Sequence, residues 1–198
     1  MKLTIDHSVI KALLICAAKQ DLRYYLKGVC IDARANGDVV LVATDGHRLL
    51  AYPVAVDAIE ALAPGEYIIP REALEAVKPA KAGRTVLPIT IEIDVERRLE
   101  NKITGATSAV TALIDGKYPD WRRVVPKTVS GEPAQFNAEY IGDFGRVAEL
   151  LGGKHGPMIH HNGSSGAIVC NLGAALGVVM PMRLDEPFTG LPAWAIAV

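Results

Sequence analysis

The chain has 198 residues, half of them hydrophobic, with 21 basic side chains against 22 acidic ones and a formal net charge of −1. That length and apolar content suit a soluble globular protein with one or two ordinary cores, and the charge balance argues against a protein that coats nucleic acid by bulk attraction. No apolar run is long enough to span a bilayer, and Asp6 and His7 interrupt the amino-terminal segment before it can read as a signal peptide, so the reading is cytoplasmic with no membrane partner.

In chain order, hydrophobic period and turn signals give strand, helix and three strands, written three times. The first copy opens with the strand Lys2 to Ile5, after which Ile10, Leu13, Leu14 and Ala17 fall on one helical face. Strands Gly28 to Arg34 and Asp38 to Ala43 flank Asn36-Gly37, a dipeptide suited to a tight hairpin because both residues accept positive φ, and His47 to Val56 closes the unit. The second copy starts at Glu66 to Ile69. Pro70 is expected at the first helical position, the helix runs from Arg71 to Val77, and Pro79 stops it. Its strands are expected at Thr85 to Asp94, Arg97 to Gly105 and Ser108 to Asp115, with an edge or bulge at Pro88. In the third copy Gln135-Phe136 leads to an N-cap at Asn137 and a helix whose apolar stripe is Tyr140, Phe144, Val147, Ala148 and Leu151, ended by Gly152-Gly153. Hairpin strands then flank Asn162-Gly163, and Ala175 to Arg183 is the last strand. A repeat of more than sixty residues means half-domains with one helix over a sheet, an α+β class with helices packed on antiparallel sheets.

Cys16, Cys30 and Cys170 stand far apart with no CxxC pair and are read as reduced, buried thiols. The His160-His161 doublet has no second cluster to complete a metal site, so neither metal nor cofactor is expected. Charge is unevenly spread: residues 1–64 carry seven basic and seven acidic side chains, 65–128 eleven and nine, and 129–198 three and six. Contact with phosphates is therefore expected on the first two thirds.

Three motifs then carry a resemblance. Asp21-Leu22-Arg23-Tyr24-Tyr25-Leu26-Lys27-Gly28 followed by Val42-Ala43-Thr44-Asp45-Gly46-His47-Arg48-Leu49, then Ile114 to Val124 around Tyr118-Pro119-Asp120-Trp121-Arg122-Arg123, and finally Val178-Val179-Met180-Pro181-Met182-Arg183-Leu184 occur in order over nearly the whole chain. Together they resemble the bacterial DNA polymerase III β subunit, the sliding-clamp family. The resemblance implies a DNA-clamp fold of three repeated β-α-β-β-β units. It also implies a complete clamp domain at 1–126, made of units 1–64 and 65–126, a half domain at 127–184, and a carboxyl-terminal extension at 185–198. The family's first domain and the opening half of its third have no counterpart in the sequence.

In that family, partner proteins insert a short peptide with apolar anchors between the second and third domains, which requires a concave apolar lining with a few placed polar groups. The matching positions are Leu26, Thr44, Gly46, His47, Arg48 and Leu49 from the first unit, Pro119, Arg123 and Val124 from the second, and Val178, Val179, Met180, Pro181, Met182 and Arg183 from the third. Arg23, Asn137 and Tyr140 would line the groove's extension. Leu26, Leu49, Val124 and Val178 are expected to wall a pocket for leucine or phenylalanine, with Met180 and Met182 repacking around varied ligands. The resemblance further places Gln20, Tyr24 and Tyr25 in a loop that touches DNA, and helices facing a channel would add Lys11, Lys19, Arg71, Lys78 and Lys81. The third helix, with Glu139, Asp143 and Glu149 against Arg146, is expected to be a poor lining for DNA.

The implied function is non-catalytic: a replication or repair accessory protein that binds clamp-binding motifs of DNA polymerases, clamp loader or repair proteins, with double-stranded DNA as a further partner. A different reading is an adaptor or decoy that competes for those partners without forming a ring. A hydrolase built on Asp45, His47 and Ser164 or Ser165 is the remote alternative, because the sequence holds no nucleophile elbow, P-loop or Rossmann glycine pattern. An unpaired third unit exposes a strand edge and a helix stripe, so a homodimer or higher homo-oligomer is expected, or a tail containing Phe188, Leu191, Trp194 and Ile196 folded over the gap.

Overall fold

The computed structural model describes residues 1–182; Arg183, Leu184 and the extension 185–198 lie outside the described residues. In the first unit β1 (Lys2–Ile5) leads to α1 (His7–Cys16), then β2 (Gly28–Ala33), β3 (Val39–Thr44), β4 (Arg48–Pro53) and the short β5 (Ile59–Glu60). The second holds β6 (Gly65–Pro70), α2 (Arg71–Ala76), a small ribbon of β7 (Lys81–Ala82) and β8 (Thr85–Val86), then β9 (Ile89–Glu92), β10 (Asn101–Thr104) and β11 (Ser108–Thr111). The third holds α3 (Ala138–Leu150), β12 (Met158–His160), β13 (Ile168–Asn171) and β14 (Leu176–Val179). No helix among the described residues is long and apolar enough to cross a membrane.

The strands form two main antiparallel sheets, in the orders β11-β10-β9-β1-β5 and β12-β13-β14-β4-β3-β2-β6. The first two units exchange their opening strands: β1 pairs with β9, Leu3 opposite Ile91, while β6 pairs with β2, Ile69 opposite Val29. The third unit joins the first through a continuous ladder in which β14 pairs with β4, Val178 opposite Leu49 and Val179 opposite Arg48. One main-chain hydrogen-bonded sheet thus crosses from residues near 50 to residues near 178.

Burial follows from having cover on both faces of that sheet. Every residue of β2 is buried. One side of the sheet meets α1, β1 and α3 in a large cluster that includes Ile31, Leu41, Leu50, Phe144 and Val179. The other side carries a smaller cluster of Leu26, Cys30, Val42, Leu49, Ile68, Tyr118 and Val178, partly covered by Tyr25, Ile114, Trp121 and Val125. A strand buried on both faces reads as a continuous apolar run, which is what Gly28-Val29-Cys30-Ile31 presents. Within the third unit, Gly177 lets β14 lie close under α3: a Cβ there would lie 2.6 Å from Phe144 Cε1.

Several expectations change. At Asn36-Gly37 only Gly37 takes positive φ (+102°), and Arg34 N donates to Asp38 O at 2.8 Å, so the connection is a wider loop with one left-handed residue. Pro70 precedes α2 as its N-cap rather than opening it. The strand expected from Thr85 to Asp94 breaks at Pro88 into β8 and β9, since proline cannot donate to a ladder. The second unit's other two strands are shorter than read: Asn101–Thr104 begins later than Arg97, and Ser108–Thr111 ends before Asp115. In the third unit Gln135-Phe136 is not a strand, although Gln135 O accepts from Met182 N at 2.7 Å. The hairpin there turns through 161–167 rather than tightly at Asn162-Gly163, and the last strand stops at Val179. Asn137 does cap α3, its Oδ1 accepting from Glu139 N at 2.9 Å.

Candidate peptide-binding groove

The β4–β14 seam has an open apolar cleft on its outer face. Leu49 and Val178, paired across the seam, form its floor with Leu26 from the 3-10 turn Tyr24–Leu26. One wall is Pro119, Asp120, Trp121 and Val124; the other is Arg23, Thr44, Gly46, His47, Arg48 and Met180, around a cavity of about 140 Å³. Leu26, Leu49 and Val178 are buried, whereas Val124 and Met180 stay 41% exposed, so the rim is the part of the cleft still offered to a ligand. A space of this size takes one or two side chains, not a whole organic cofactor.

The polar wall is rigid because its turn satisfies itself. Thr44 Oγ1 donates to Arg48 O at 2.6 Å and accepts from Gly46 N at 3.0 Å, and Asp45 Oδ1 accepts from His47 N and Arg48 N at 2.9 and 3.0 Å. Gly46 holds φ at +91°, a left-handed conformation that favours glycine, and the space beside it is taken by the Arg23 guanidinium, 2.7 Å from where a Cβ would sit. Arg23 lies across that turn, held by Asp21 at 2.7 Å and donating to Asp45 O at 3.1 Å. Its hydrogen bonds hold the Asp21 carboxyl down at about 2. Met180 N donates to His47 O at 2.9 Å and ties the third unit to the same turn.

Arg48 is the joint between units. Its guanidinium donates to Asp143 on α3 and to Ile15 O at the end of α1 (2.9 Å), lies 3.2 Å from Asp45 Oδ2 and stacks 4.7 Å from the Tyr140 ring centre. Burial opposes its charge, but the hydrogen bond to Asp143 and the neighbouring acids outweigh that and raise its pKa. Because Asp45 is committed to backbone amides and to Arg48, its carboxylate has no hydrogen bond to the His47 ring of the kind a catalytic triad needs. The His47 ring instead stacks on Tyr140, centroids 6.2 Å apart.

Most residues singled out from sequence converge here, with identifiable exceptions. Val179 points to the opposite face and is fully buried in the large cluster, as strand alternation requires once Val178 faces the cleft. Arg123 is exposed on the 3-10 turn Trp121–Val124 and outside the lining. Pro181 and Met182 lie just past the cleft, Met182 45% exposed; Asn137 serves as a cap, and Tyr140 extends the polar wall beyond His47. Arg183 is outside the described residues. Sequence reading passed over Asp120 and Trp121. The signal was available: Tyr118, Trp121 and Val124 recur every three residues, the spacing that eclipses side chains in a 3-10 turn.

The helical face holds a second, larger cleft of about 610 Å³ lined by Lys11, Lys19, Arg48, Arg71, Lys78 and Arg146 with Glu75 and Asp143. Arg71 is not free for phosphate: its Nη1 donates to Leu14 O and Ala17 O at 2.7 and 2.9 Å, and its Nε pairs with Glu75 at 2.8 Å, so it caps α1. Lys81 sits on β7 outside this cleft. On α3, Asp143 is neutralised by Arg48 and Arg146, which leaves that helix less hostile to an anion than its composition suggested. Gln20 and Tyr24 are exposed in the loop before β2, while Tyr25 is half-buried edge-on to Tyr24 at 5.7 Å.

Comparison with known proteins places this geometry. Residues 4–120 match the family model described as DNA polymerase III beta subunit, central domain. The beta sliding clamp of Salmonella typhimurium is 30% identical over 132 residues, covering 64% of this chain and 34% of that protein. The chain thus spans about a third of that relative's length. The crystal structure of the DNA polymerase III subunit beta from Pseudomonas aeruginosa superposes with a TM-score of 0.67 at 19% identity, over 93% of this chain and 66% of that one. The Helicobacter pylori beta clamp bound to a DNA ligase peptide gives 0.67 at 13% identity, over 92% and 65%. The structural matches extend well beyond the share of the chain that the sequence match covers, and at these identities they show the clamp fold.

Proposed function

Because this chain belongs to the family of the DNA polymerase III β subunit, we propose that it is a non-catalytic, clamp-like accessory protein of replication or repair that docks short apolar peptides of its partners in the groove over the β4–β14 seam. The reading divides the chain into a clamp domain at 1–126 and half of another at 127–184. The observation that carries it is the seam itself: Leu49 and Val178, from units more than a hundred residues apart in sequence, form one apolar floor beneath a preformed rim of Arg23, His47, Trp121 and Met180. The Helicobacter pylori relative, solved with a DNA ligase peptide, makes peptide segments of polymerases, clamp loader or repair proteins the partner class to test. Only a few anchors fit a cavity this small, so affinity for a short peptide is expected on the order of micromolar. A fluorescent peptide bearing an adjacent Leu-Phe pair should bind saturably, and Leu49→Lys or Met180→Lys should abolish binding by placing a charge in the lining. A well-folded protein with no saturable binding removes the proposal.

Double-stranded DNA is the second proposed partner, through Lys11, Lys19 and Lys78 of the helical cleft and Gln20, Tyr24 and Tyr25 of the loop between α1 and β2. A steep loss of DNA binding between low and physiological salt is its signature. We further propose self-association. Among the described residues β12 is paired on one side only, and Met158 on it is 64% exposed. Two third units joined at that edge give a homodimer, whereas a monomer by light scattering favours the adaptor or decoy that shares this groove without a ring.

A further inference from the structure

Asp32 is a carboxylate with no role in the groove lining, yet it sits 3% exposed on β2, the strand beside edge strand β6 in the sheet that carries the groove. Its place in β2 puts it on the same face as Cys30, under the linker that runs from Tyr118 to Val125. Three donors converge on it: Trp121 Nε1 at 2.9 Å and the Arg122 guanidinium, both on Oδ2, and Arg34 Nε on Oδ1 at 2.8 Å. Arg122 also stacks 4.2 Å over the Trp121 ring, so indole, guanidinium and carboxylate form one closed set. Charge-assisted bonds of this kind hold geometry as well as energy.

The linker has few other holds. Within the 3-10 turn Trp121–Val124 no residue is buried, and its own backbone bonds are local, Arg123 N to Asp120 O and Val125 N to Arg122 O. Tyr118 anchors one end through full burial. Beyond that point the turn's position depends on partial packing of Trp121 and of Val125 at its far end, and on the bonds to Asp32. The groove wall is made by this turn, since Trp121 and Val124 line it and Pro119 precedes it.

We propose that Asp32 is a positioning residue for the groove: by accepting from Trp121 and Arg122 at once, it fixes the height and tilt of the wall against which a peptide's apolar anchor packs. Replacing the carboxylate leaves every lining side chain in the sequence but lets the wall swing. The inference rests on the groove being the peptide site, and its test keeps the two apart.

The chain has two tryptophans, Trp121 and Trp194, so a Trp194→Phe background makes Trp121 the sole emitter and a direct reporter on the wall. In that background Asp32→Asn should raise acrylamide quenching of Trp121 about twofold in the unliganded protein, and weaken the Leu-Phe peptide roughly tenfold, mostly through faster release. Arg122→Met, on the solvent side of the cluster, should do both to a smaller degree and carries the test if Asp32→Asn does not fold. Leu3→Ala, which lowers stability from the other sheet, should leave Trp121 quenching unchanged. If Asp32→Asn and Arg122→Met retain the parent's quenching, or if peptide affinity falls with no change in quenching, the positioning role is overturned. If the parent binds no peptide, the groove's function falls, while quenching still decides whether Asp32 holds the wall.

Discussion

Replacing Arg48 with methionine removes a charge that three segments share while keeping most of its aliphatic stem. Asp143 and Asp45 are left 19% and 20% exposed beside an apolar neighbour, Ile15 O at the end of α1 loses its donor, and Tyr140 loses the cation over its ring. Breaking one side of a fully buried ion pair costs about 3–5 kcal/mol, and the partial exposure of both acids, which admits solvent, brings the expected total to about 3 kcal/mol. With a urea dependence of about 2–3 kcal/mol per molar, the unfolding midpoint should fall by roughly 1–1.5 M at pH 7. Asp143→Asn removes the carboxylate that would otherwise be left with only the exposed Arg146 as partner, so the double variant Arg48→Met/Asp143→Asn should be more stable than the sum of the singles by about 1 kcal/mol. Strict additivity, or a cost for Arg48→Met below about 0.5 kcal/mol, would refute the view that Arg48 joins the units.

Gly177→Ala should cost about 1–3 kcal/mol in the same assay, because the new methyl meets three ring atoms of buried Phe144 within 3.0 Å, and Phe144→Leu in the same chain should recover part of it. Hydrogen bonds from Arg122, Trp121 and Arg34 outweigh the cost of burial and hold Asp32 below the usual carboxylate range. Its folded pKa is therefore depressed, so its contribution to stability is complete above about 3.9 and is lost as pH falls through the lower folded value. Urea midpoints of the parent and Asp32→Asn should differ by a constant amount at neutral pH and converge only below that range. Burial pushes the Cys16 and Cys170 thiols up to about 12. Native protein at pH 8 should resist iodoacetamide at both positions and label readily in urea, whereas fast labelling of the native state would contradict the burial.

Much of this fold could be read from period and punctuation. The stripe through Phe144, Val147 and Ala148 with its Asn137 cap, and the runs at Gly28 to Ala33 and Val39 to Thr44, were legible because each is a local pattern with a local cause. Strand exchange between β1 and β6 was not, since nothing in Lys2 to Ile5 says which of two sheets it joins. For the groove, three ordered motifs brought together residues that the fold does collect. They overreached at Val179, where alternation turns the side chain away; the separate reading of basic residues on channel-facing helices overreached at Arg71, whose guanidinium answers carbonyls of a helix fifty-odd residues earlier. Trp121 stands within the second motif yet went unassigned to the groove, because the period-three turn that aims it is short and its spacing is a weak signal by itself.

The seam between β4 and β14 also has a meaning in time. During synthesis the chain emerges from its amino terminus, and β4 is complete long before Leu176–Val179 exists to pair with it. Until then Leu49 is paired only with Thr44 of β3, and the cleft has neither Val178 in its floor nor Met180 on its rim. Closing a loop of this length is slow compared with forming the local hairpins of the first unit. The cleft is therefore incomplete on a half-made chain, and it takes its final shape only when translation of the third unit is nearly done.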